Sequence, residues 1–518
     1  MNPYNAAGIF VLSLLILGAQ SSAALAAPVR LAPGVVPKTA DDISAGRPAL
    51  LQDNYHFRMC DAANGCELWE SDGTEAGTLR VTDIGVDTAD GLPSGDLMVC
   101  NGAVFFSGND GTAGVELYSY DGANIAQVKD LNAGAADSTP IPLLCLNNVL
   151  YFIGSAPGRD LYRTDGTDAG TMLVADTGDT VDSFSLGVSY PEPVALGGQI
   201  YFVALNPSGV RQIWKSNGAP AGAGGVTAAV GTQQFTEVSD LTIMGSAVYF
   251  SARQVGSVSR ELWMTDGMTV TQVTRIGGLD AGSFNAEIGE LAVYNAALYF
   301  SACNRNNGSG GGANCEFWKS NGVPVDSGGV AALVKDIYVE EGNLNGSSRP
   351  MEFTLFNGLL YFAAERFSEV NLSNVRVLMR SDGTTDGTFR IAVSQFRLLG
   401  NVVIAGERLV FGNCISVERC AIWGSNGTEA TTHPLASRSS DELDLPSNFV
   451  SNGTTVFFTQ TGGNLVQNEP YAIAVSEVVE GTVAPPAGGG GGGGAPGWNL
   501  LLLLLAASLF RRQISIAA

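Results

Sequence analysis

The sequence predicts an all-β chain, a β-propeller of four-stranded antiparallel blades, with about eight or nine blades from nine sequence units. Three observations lead there. An aromatic pair returns roughly every 49 residues. A motif of the form Glu-Leu-Trp-x-x-Asp-Gly follows each pair. Glycine-based turn signals separate short apolar runs throughout, in a chain with 66 glycines and only 15% charged residues.

The aromatic pairs are "VFFSG" from Val104, "LYFIG" from Leu150, "IYFVA" from Ile200, "VYFSA" from Val248, "LYFSA" from Leu298, "LYFAA" from Leu360, "LVFGN" from Leu409 and "VFFTQ" from Val456, with "YHFRM" from Tyr55 as a weaker first copy. The motif copies are "ELWESDG", "ELYSYDG", "DLYRTDG", "QIWKSNG", "ELWMTDG", "EFWKSNG", "VLMRSDG" and "AIWGSNG"; the ninth unit keeps only "EPYAIAV". One apolar run precedes each pair and another follows each motif, so each unit holds four short strands joined by Asn-Gly or Asp-Gly turns. No long 3.6-residue apolar period interrupts this pattern, so helices should be scarce.

Nine units exceed the usual four to eight blades, so the ring is large or one unit lies outside it. "VVPKTADDIS" (Val35 to Ser44) resembles the fourth strand of other units and would complete the last blade from the N-terminal side; "VSEVVEG" from Val475 is the alternative. An open array or a string of small sandwiches would be the competing arrangements.

The ends read as targeting segments. Residues 1–26 resemble a signal peptide, with an apolar run from Ile9 to Leu17 and a small-residue cleavage site at Ala24-Leu25-Ala26, although no Lys or Arg precedes the run. Residues 27–48 form an N-terminal segment, 49–480 the repeat domain and 481–497 a Pro/Gly-rich linker. Residues 498–518 carry an apolar stretch from Trp498 to Phe510, then Arg511 and Arg512. That stretch is shorter than the roughly 20 residues a bilayer span needs. Spacer, apolar stretch and Arg pair resemble the GlyGly-type C-terminal sorting signals of Gram-negative bacteria. The resemblance implies an inner-membrane intermediate, a sorting protease, and a body released or held at the cell surface. A plain membrane anchor is the alternative.

Net charge is −23, which argues against nucleic acid as a partner. Eight cysteines fit an oxidising compartment. Cys60–Cys66, Cys303–Cys315 and Cys414–Cys420 are close pairs, each between the second and third strands of a unit, and each would staple a hairpin. Cys100 and Cys145 lie in the first strands of adjacent units. Their offsets from the aromatic pair differ by one residue, which leaves that bridge open.

The turn glycine never changes: Gly73, Gly122, Gly166, Gly218, Gly267, Gly322, Gly383 and Gly427. The residue before it is Asp or Asn. A calcium loop would weaken at every Asn copy, so the turn reading is preferred, with Asp72, Asp165, Asp266 and Asp382 as weak calcium candidates and no other cofactor expected. The motif aromatics Trp69, Tyr118, Tyr162, Trp214, Trp263, Trp318 and Trp423 read as packing between blades, with their polar tips satisfied. The leading Glu67, Glu116, Asp160, Glu261 and Glu316 give way to Gln212, Val377 and Ala421, which is unlike a paired-carboxylate hydrolase. The two histidines, His56 and His433, belong to no catalytic or zinc pattern.

The copies at Glu67, Glu116, Asp160 and Glu261, with the following "GTEAGT", "GTDAGT" and "GTTDGT", resemble the bacterial ELWxxDGT repeat proteins. That resemblance implies a propeller-like extracellular protein and carries no established activity.

The expected function is an exported, non-catalytic binding or adhesion scaffold for an unknown glycan or protein, with the inserts Asn304 to Asn314 and Glu365 to Val375 as contacts. An extracellular glycan hydrolase or lyase and a structural envelope protein are the alternatives. The channel lining discriminates: one asymmetric polar cluster favours an enzyme, a smooth or symmetric lining favours binding.

Overall fold

The computed structural model describes residues 28–35, 46–155, 159–175, 191–206, 208–220, 227–277, 285–305, 313–338, 346–368, 373–391, 397–416, 419–435, 445–461 and 468–475. Among them are eight antiparallel sheets, seven of four strands and one of eight. The larger sheet joins two four-stranded units through a single pairing, Arg211 with Phe235; with these two taken as separate sheets, nine repeating sheets follow one another along the chain. No α-helix occurs among the described residues.

The fifth unit shows the pattern. Its strands are Phe235–Met244, Ala247–Gln254, Arg260–Thr265 and Val270–Gln272, paired in sequence order. A two-residue turn joins the first two strands. In the second sheet this turn is Asn101-Gly102, with both residues at positive φ as a tight hairpin of the right twist needs. First strands of most successive sheets touch one another, so they form the facing, inner edges.

The hydrophobic clusters lie between neighbouring sheets. Leu68 of the first sheet packs with Phe106 and Tyr118 of the second. Val203 of the fourth packs with Phe250 and Trp263 of the fifth. Tyr55, Phe57 and Trp69 of the first pack with Phe457 and Ala472 of the ninth, and the Tyr55 and Phe457 rings stack at 4.7 Å. Successive residues of a strand point to opposite faces. The aromatic pair therefore serves two seams at once: Phe105 packs toward the third sheet, while Phe106 packs toward the first. Burying one such ring fully contributes about 2–3 kcal/mol.

The ninth sheet takes its outer strand from the N-terminal side. Val29 pairs with Ala472 and Arg30 with Tyr471, and the Arg30 guanidinium forms an ion pair with Glu469. The strand is thus Val29–Arg30 and not the expected Val35–Ser44, of which residues 36–44 lie outside the described residues. From Ser476 onward the alternative "VSEVVEG" segment also lies outside them, as do residues 1–26 and 498–518. Among the described residues no helix is long and apolar enough to cross a membrane.

All eight cysteines are bridged: Cys60–Cys66, Cys100–Cys145, Cys303–Cys315 and Cys414–Cys420. Three of these join residues directly opposite each other across a hairpin. Cys100–Cys145 joins two inner strands, its Cα atoms 5.5 Å apart. When two sheets face each other, the residue of one pointing at the other lies on the opposite face of its own strand. An odd offset is therefore what brings the two thiols together. Four disulfides belong to an oxidising, non-cytoplasmic compartment.

Candidate functional site

The repeated motif is accounted for by structure. Its glutamate is buried and ties down the connection to the next sheet. Glu261 accepts from Ser259 Oγ (2.8 Å), Thr274 Oγ1 (2.7 Å) and the N–H groups of Ile276 (3.1 Å) and Gly277 (2.7 Å). Glu316 accepts from the N–H of Ile337 (2.7 Å) and from Ser348 N–H (3.1 Å) and Oγ (2.6 Å). Glu67 and Glu116 do the same with Gly85 and Ser138. Burial pushes the Glu316 carboxyl up to about 7 and raises that of Glu116. The sequence reading missed this role. Its signal was the Thr or Ser just beyond the fourth strand, as in "VTDIG" and "VTRIG".

At the turn, only the glycine is left-handed: Gly73 has φ 95° and Gly383 φ 87°, while Asp72 and Asp382 are not among the positive-φ residues. The aspartate caps instead. Asp382 Oδ1 accepts from the N–H (2.9 Å) and Oγ1 (2.6 Å) of Thr384, and Asp72 and Asp165 repeat this with Thr74 and Thr167. Asp266 accepts from the N–H groups of Met268 and Thr269, both at 2.8 Å. In each calcium candidate one carboxylate oxygen thus serves its own turn. The second glycine of "GTTDGT" makes room for the cap, since a Cβ on Gly387 would sit 1.9 Å from Asp382 Oδ1.

The motif aromatics pack on the preceding sheet, as Trp69, Tyr118 and Trp263 show. Their polar tips depart from expectation. The indole N–H groups of Trp69, Trp214, Trp263 and Trp318 are buried and find no acceptor, because the seam around them is apolar. The Glu287 carboxylate approaches the sulfurs of Cys303 and Cys315 (3.5 and 3.9 Å), but both sulfurs are held in their disulfide.

A different set of residues meets at the inner edges. One position, ten residues before the second aromatic of each pair, carries Arg47, Asp96, Pro142, Glu192, Asp240, Glu290, Glu352, Asn401 and Asn448 in turn. It lies at the end of the inner strands opposite the Asn-Gly hairpins. A β-bulge falls at or beside it in several sheets, between Ser239 and Thr242, Met351 and Thr354, and Ser447 and Val450. Asp240, Glu352 and Asn448 there take positive φ, which costs non-glycine residues and re-aims their side chains.

These residues connect sheets. Glu290 accepts from the N–H groups of Glu352 (2.5 Å) and Phe353 (3.3 Å) in the next sheet. Asn401 exchanges two hydrogen bonds with the Phe449 backbone (2.8 and 3.0 Å). Arg47 reaches Glu192 (2.5 Å) and the carbonyl of Pro142 (2.9 Å), so one cation is consumed on that side. Asp240, Glu290 and Glu352, in the fifth to seventh sheets, are left as an acidic arc. Burial raises the carboxyl of each; Asp240 raises Glu290 further, and Glu290 raises Glu352. Arg376 stands 3.6 Å from Glu352 Oε1, while Oε2 is buried without a hydrogen-bond partner. The sixth and seventh sheets also carry the lengthened hairpins, Ala297–Arg305 with Ala313–Ser320 and Leu359–Ser368 with Ser373–Ser381. The tips of both expected inserts, residues 306–312 and 369–372, lie outside the described residues. Carboxylates whose proton affinity burial has raised can attract a cation and hold a proton above the usual carboxylate range.

No family model matches the chain, and no curated protein matches it. Among solved structures it is similar to a puromycin hydrolase, at 11% identity and TM-score 0.36, covering 85% of this chain and 62% of that one. It is similar to a prolyl endopeptidase at 11% identity and TM-score 0.37, covering 73% and 55%. A Mycobacterium tuberculosis puromycin-hydrolyzing peptidase follows at 12% and 0.35, covering 81% and 64%. The chain spans less than two thirds of the length of each. Likeness this distant transfers no activity. The expectation of a non-catalytic adhesion scaffold for glycan or protein meets a correction in what the chain is similar to: the similar solved structures are peptidases and not adhesion scaffolds.

Proposed function

We propose that the chain is an exported β-propeller of the ELWxxDGT-repeat type, closed from nine blades, that receives a positively charged group at Asp240, Glu290 and Glu352. Closure is supported by the seam between the ninth and first sheets and by the N-terminal strand in the ninth sheet. Export is supported by the four disulfides and by the two terminal segments read from sequence. A surface location follows if the C-terminal segment is handled by a sorting protease.

The observation that carries the ligand reading is the arc itself. Three successive inner strands hold a half-buried carboxylate at one position, and burial raises all three. A carboxylate that loses hydration without gaining a full counter-charge binds a cation more favourably than an exposed one does. As pH rises through the raised values the carboxyls ionise, so affinity for a cation should rise with pH.

Titration calorimetry with spermidine tests this. Binding is expected at pH 8, progressively weaker as pH falls, and lost in Glu290→Gln/Glu352→Gln. Equal heats from the parent and the double variant, or affinity that grows as pH falls, would sink the reading.

A further inference from the structure

The seam between the first and second sheets departs from the repeat at one pair of positions. In four other sheets the first aromatic of the pair lies opposite a Lys or Arg, as Tyr151 lies opposite Arg163 and Tyr299 opposite Lys319. Each of these cations donates to the motif-turn carbonyl of the next sheet, Arg163 to Gly218 and Lys319 to Gly383 among them. The first sheet carries His56 and Glu70 at these positions, directly opposite each other. A carboxylate thus stands where those sheets place a positive charge.

His56 is 1% exposed, and its Nδ1 lies 3.1 Å from the Asn54 carbonyl. A carbonyl only accepts, so Nδ1 carries the proton, and the neutral ring presents a lone pair at Nε2. Burial holds the proton affinity of the ring below its ordinary value, which keeps it neutral. Glu70 Oε2 stands 3.3 Å from Nε2, yet Nε2 has no hydrogen-bond partner. Tyr120 of the second sheet donates its hydroxyl to the same Oε2 at 3.3 Å, and its ring lies 5.8 Å from the imidazole. Burial pushes that hydroxyl up to about 12, so it remains a donor. Two acceptor atoms therefore face each other beside a buried seam, an arrangement that calls for a positive charge. The Glu70 side chain, 20% exposed, connects the spot to solvent.

We propose that His56 Nε2 and Glu70 Oε2 form a site for a divalent transition-metal ion of the zinc class, with Tyr120 as a positioning residue. Zinc bonds of about 2.0–2.1 Å at tetrahedral angles set two ligand atoms about 3.3–3.4 Å apart. The separation of His56 Nε2 and Glu70 Oε2 matches that edge. An imidazole that binds a metal usually donates its other N–H to a carbonyl or carboxylate, as His56 does to Asn54, and the Tyr120 hydroxyl holds the carboxylate from the second sheet. Imidazole beside carboxylate suits zinc, copper or nickel, whereas calcium and magnesium take sets of oxygens. Water completes the coordination. The ion supplies at this seam the charge that Arg163 and Lys319 supply at theirs. No spacing in the sequence announces the site, because its residues come from two facing strands and a second sheet. This inference does not depend on what the acidic arc binds.

The test uses the full chain carrying Glu290→Gln/Glu352→Gln, so that the acidic arc does not compete for the ion. Calorimetric titration with zinc is expected to show one site per chain. In that background His56→Gln should abolish the binding, Glu70→Gln should weaken it at least tenfold, and Tyr120→Phe should weaken it about tenfold. His433→Gln, which alters the other histidine, should leave it unchanged. Glu70 reaches solvent, so Glu70→Gln carries the comparison should His56→Gln fail to fold. Cobalt(II) added to the otherwise unaltered chain supplies a second reading: a visible absorption band of four-coordinate cobalt, displaced by zinc and missing in Glu70→Gln. Absence of zinc binding, an affinity unchanged in Glu70→Gln, or binding lost in His433→Gln would overturn the proposal. An affinity unchanged in Tyr120→Phe would overturn the positioning role of that residue.

Discussion

The hydroxyl of Tyr249 in the fifth sheet donates to the carbonyl of Gly322 in the sixth, at 3.1 Å. Gly322 has φ 75°, and a Cβ there would fall 2.7 Å from that hydroxyl and 2.4 Å from the Met244 Cε. The turn glycine thus answers two demands, backbone handedness and close approach of the neighbouring sheet. Gly322→Ala should destabilise the body by about 2 kcal/mol or more, and Tyr249→Phe by about 1 kcal/mol. Urea denaturation of both variants checks the order; an equal or reversed order would contradict the shared seam.

Glu316 gives the body a pH dependence of definite sign. Its carboxyl is raised to about 7 in the fold against 4.5 for a free glutamate, with burial as the main cause. Between those values the folded state holds the extra proton, so its contribution is fully present below about 4.5 and declines as pH rises to about 7. The decline is on the order of 3 kcal/mol. Denaturation midpoints measured from pH 4.5 to 7.5 should fall more steeply for the parent than for Glu316→Gln. Parallel pH profiles would count against a buried, proton-holding Glu316.

The motif aspartate is expected to act through its acceptor oxygen and not through its charge. Asp382→Asn keeps an oxygen for the Thr384 N–H, and its stability should stay within about 0.5 kcal/mol of the parent, with or without calcium. Asp382→Ala removes the cap and should cost about 1 kcal/mol. A melting temperature that rises with calcium in the parent but not in Asp382→Asn would instead make the turn a metal loop.

The disulfides should differ in weight. Cys100–Cys145 closes a separation of 45 residues and Cys60–Cys66 one of 6. On chain entropy the first contributes about 4 kcal/mol and the second about 2. Paired Cys→Ser replacements, compared by urea denaturation, should show the larger loss for Cys100 and Cys145. A larger loss for Cys60 and Cys66 would point to strain or unfolded-state structure as the dominant factor.

The four-stranded units were legible in the sequence because turn glycines and aromatic pairs recur at fixed spacing, and both are local features. The role of the motif glutamate was not, because its donors, such as Ser348 for Glu316, lie beyond the next strand in a connection of variable length. Asp240, Glu290 and Glu352 looked like ordinary residues entering a strand. Only the bulges and the radial approach of the inner strands bring them side by side. Counting ten positions back from Phe250, Phe300 and Phe362 would have aligned them. The Cys100–Cys145 bridge is not legible from offset parity within one sheet, because two facing sheets reverse that parity.

End-on electron-microscopy views of the purified protein, averaged without imposed symmetry, test the closure of the nine sheets most directly. The account predicts a continuous ring of nine wedges, with no gap between the wedges that hold Tyr55 and Phe457. An open arc, a ring of eight wedges with one unit outside it, or sheets strung out without mutual contact would contradict it.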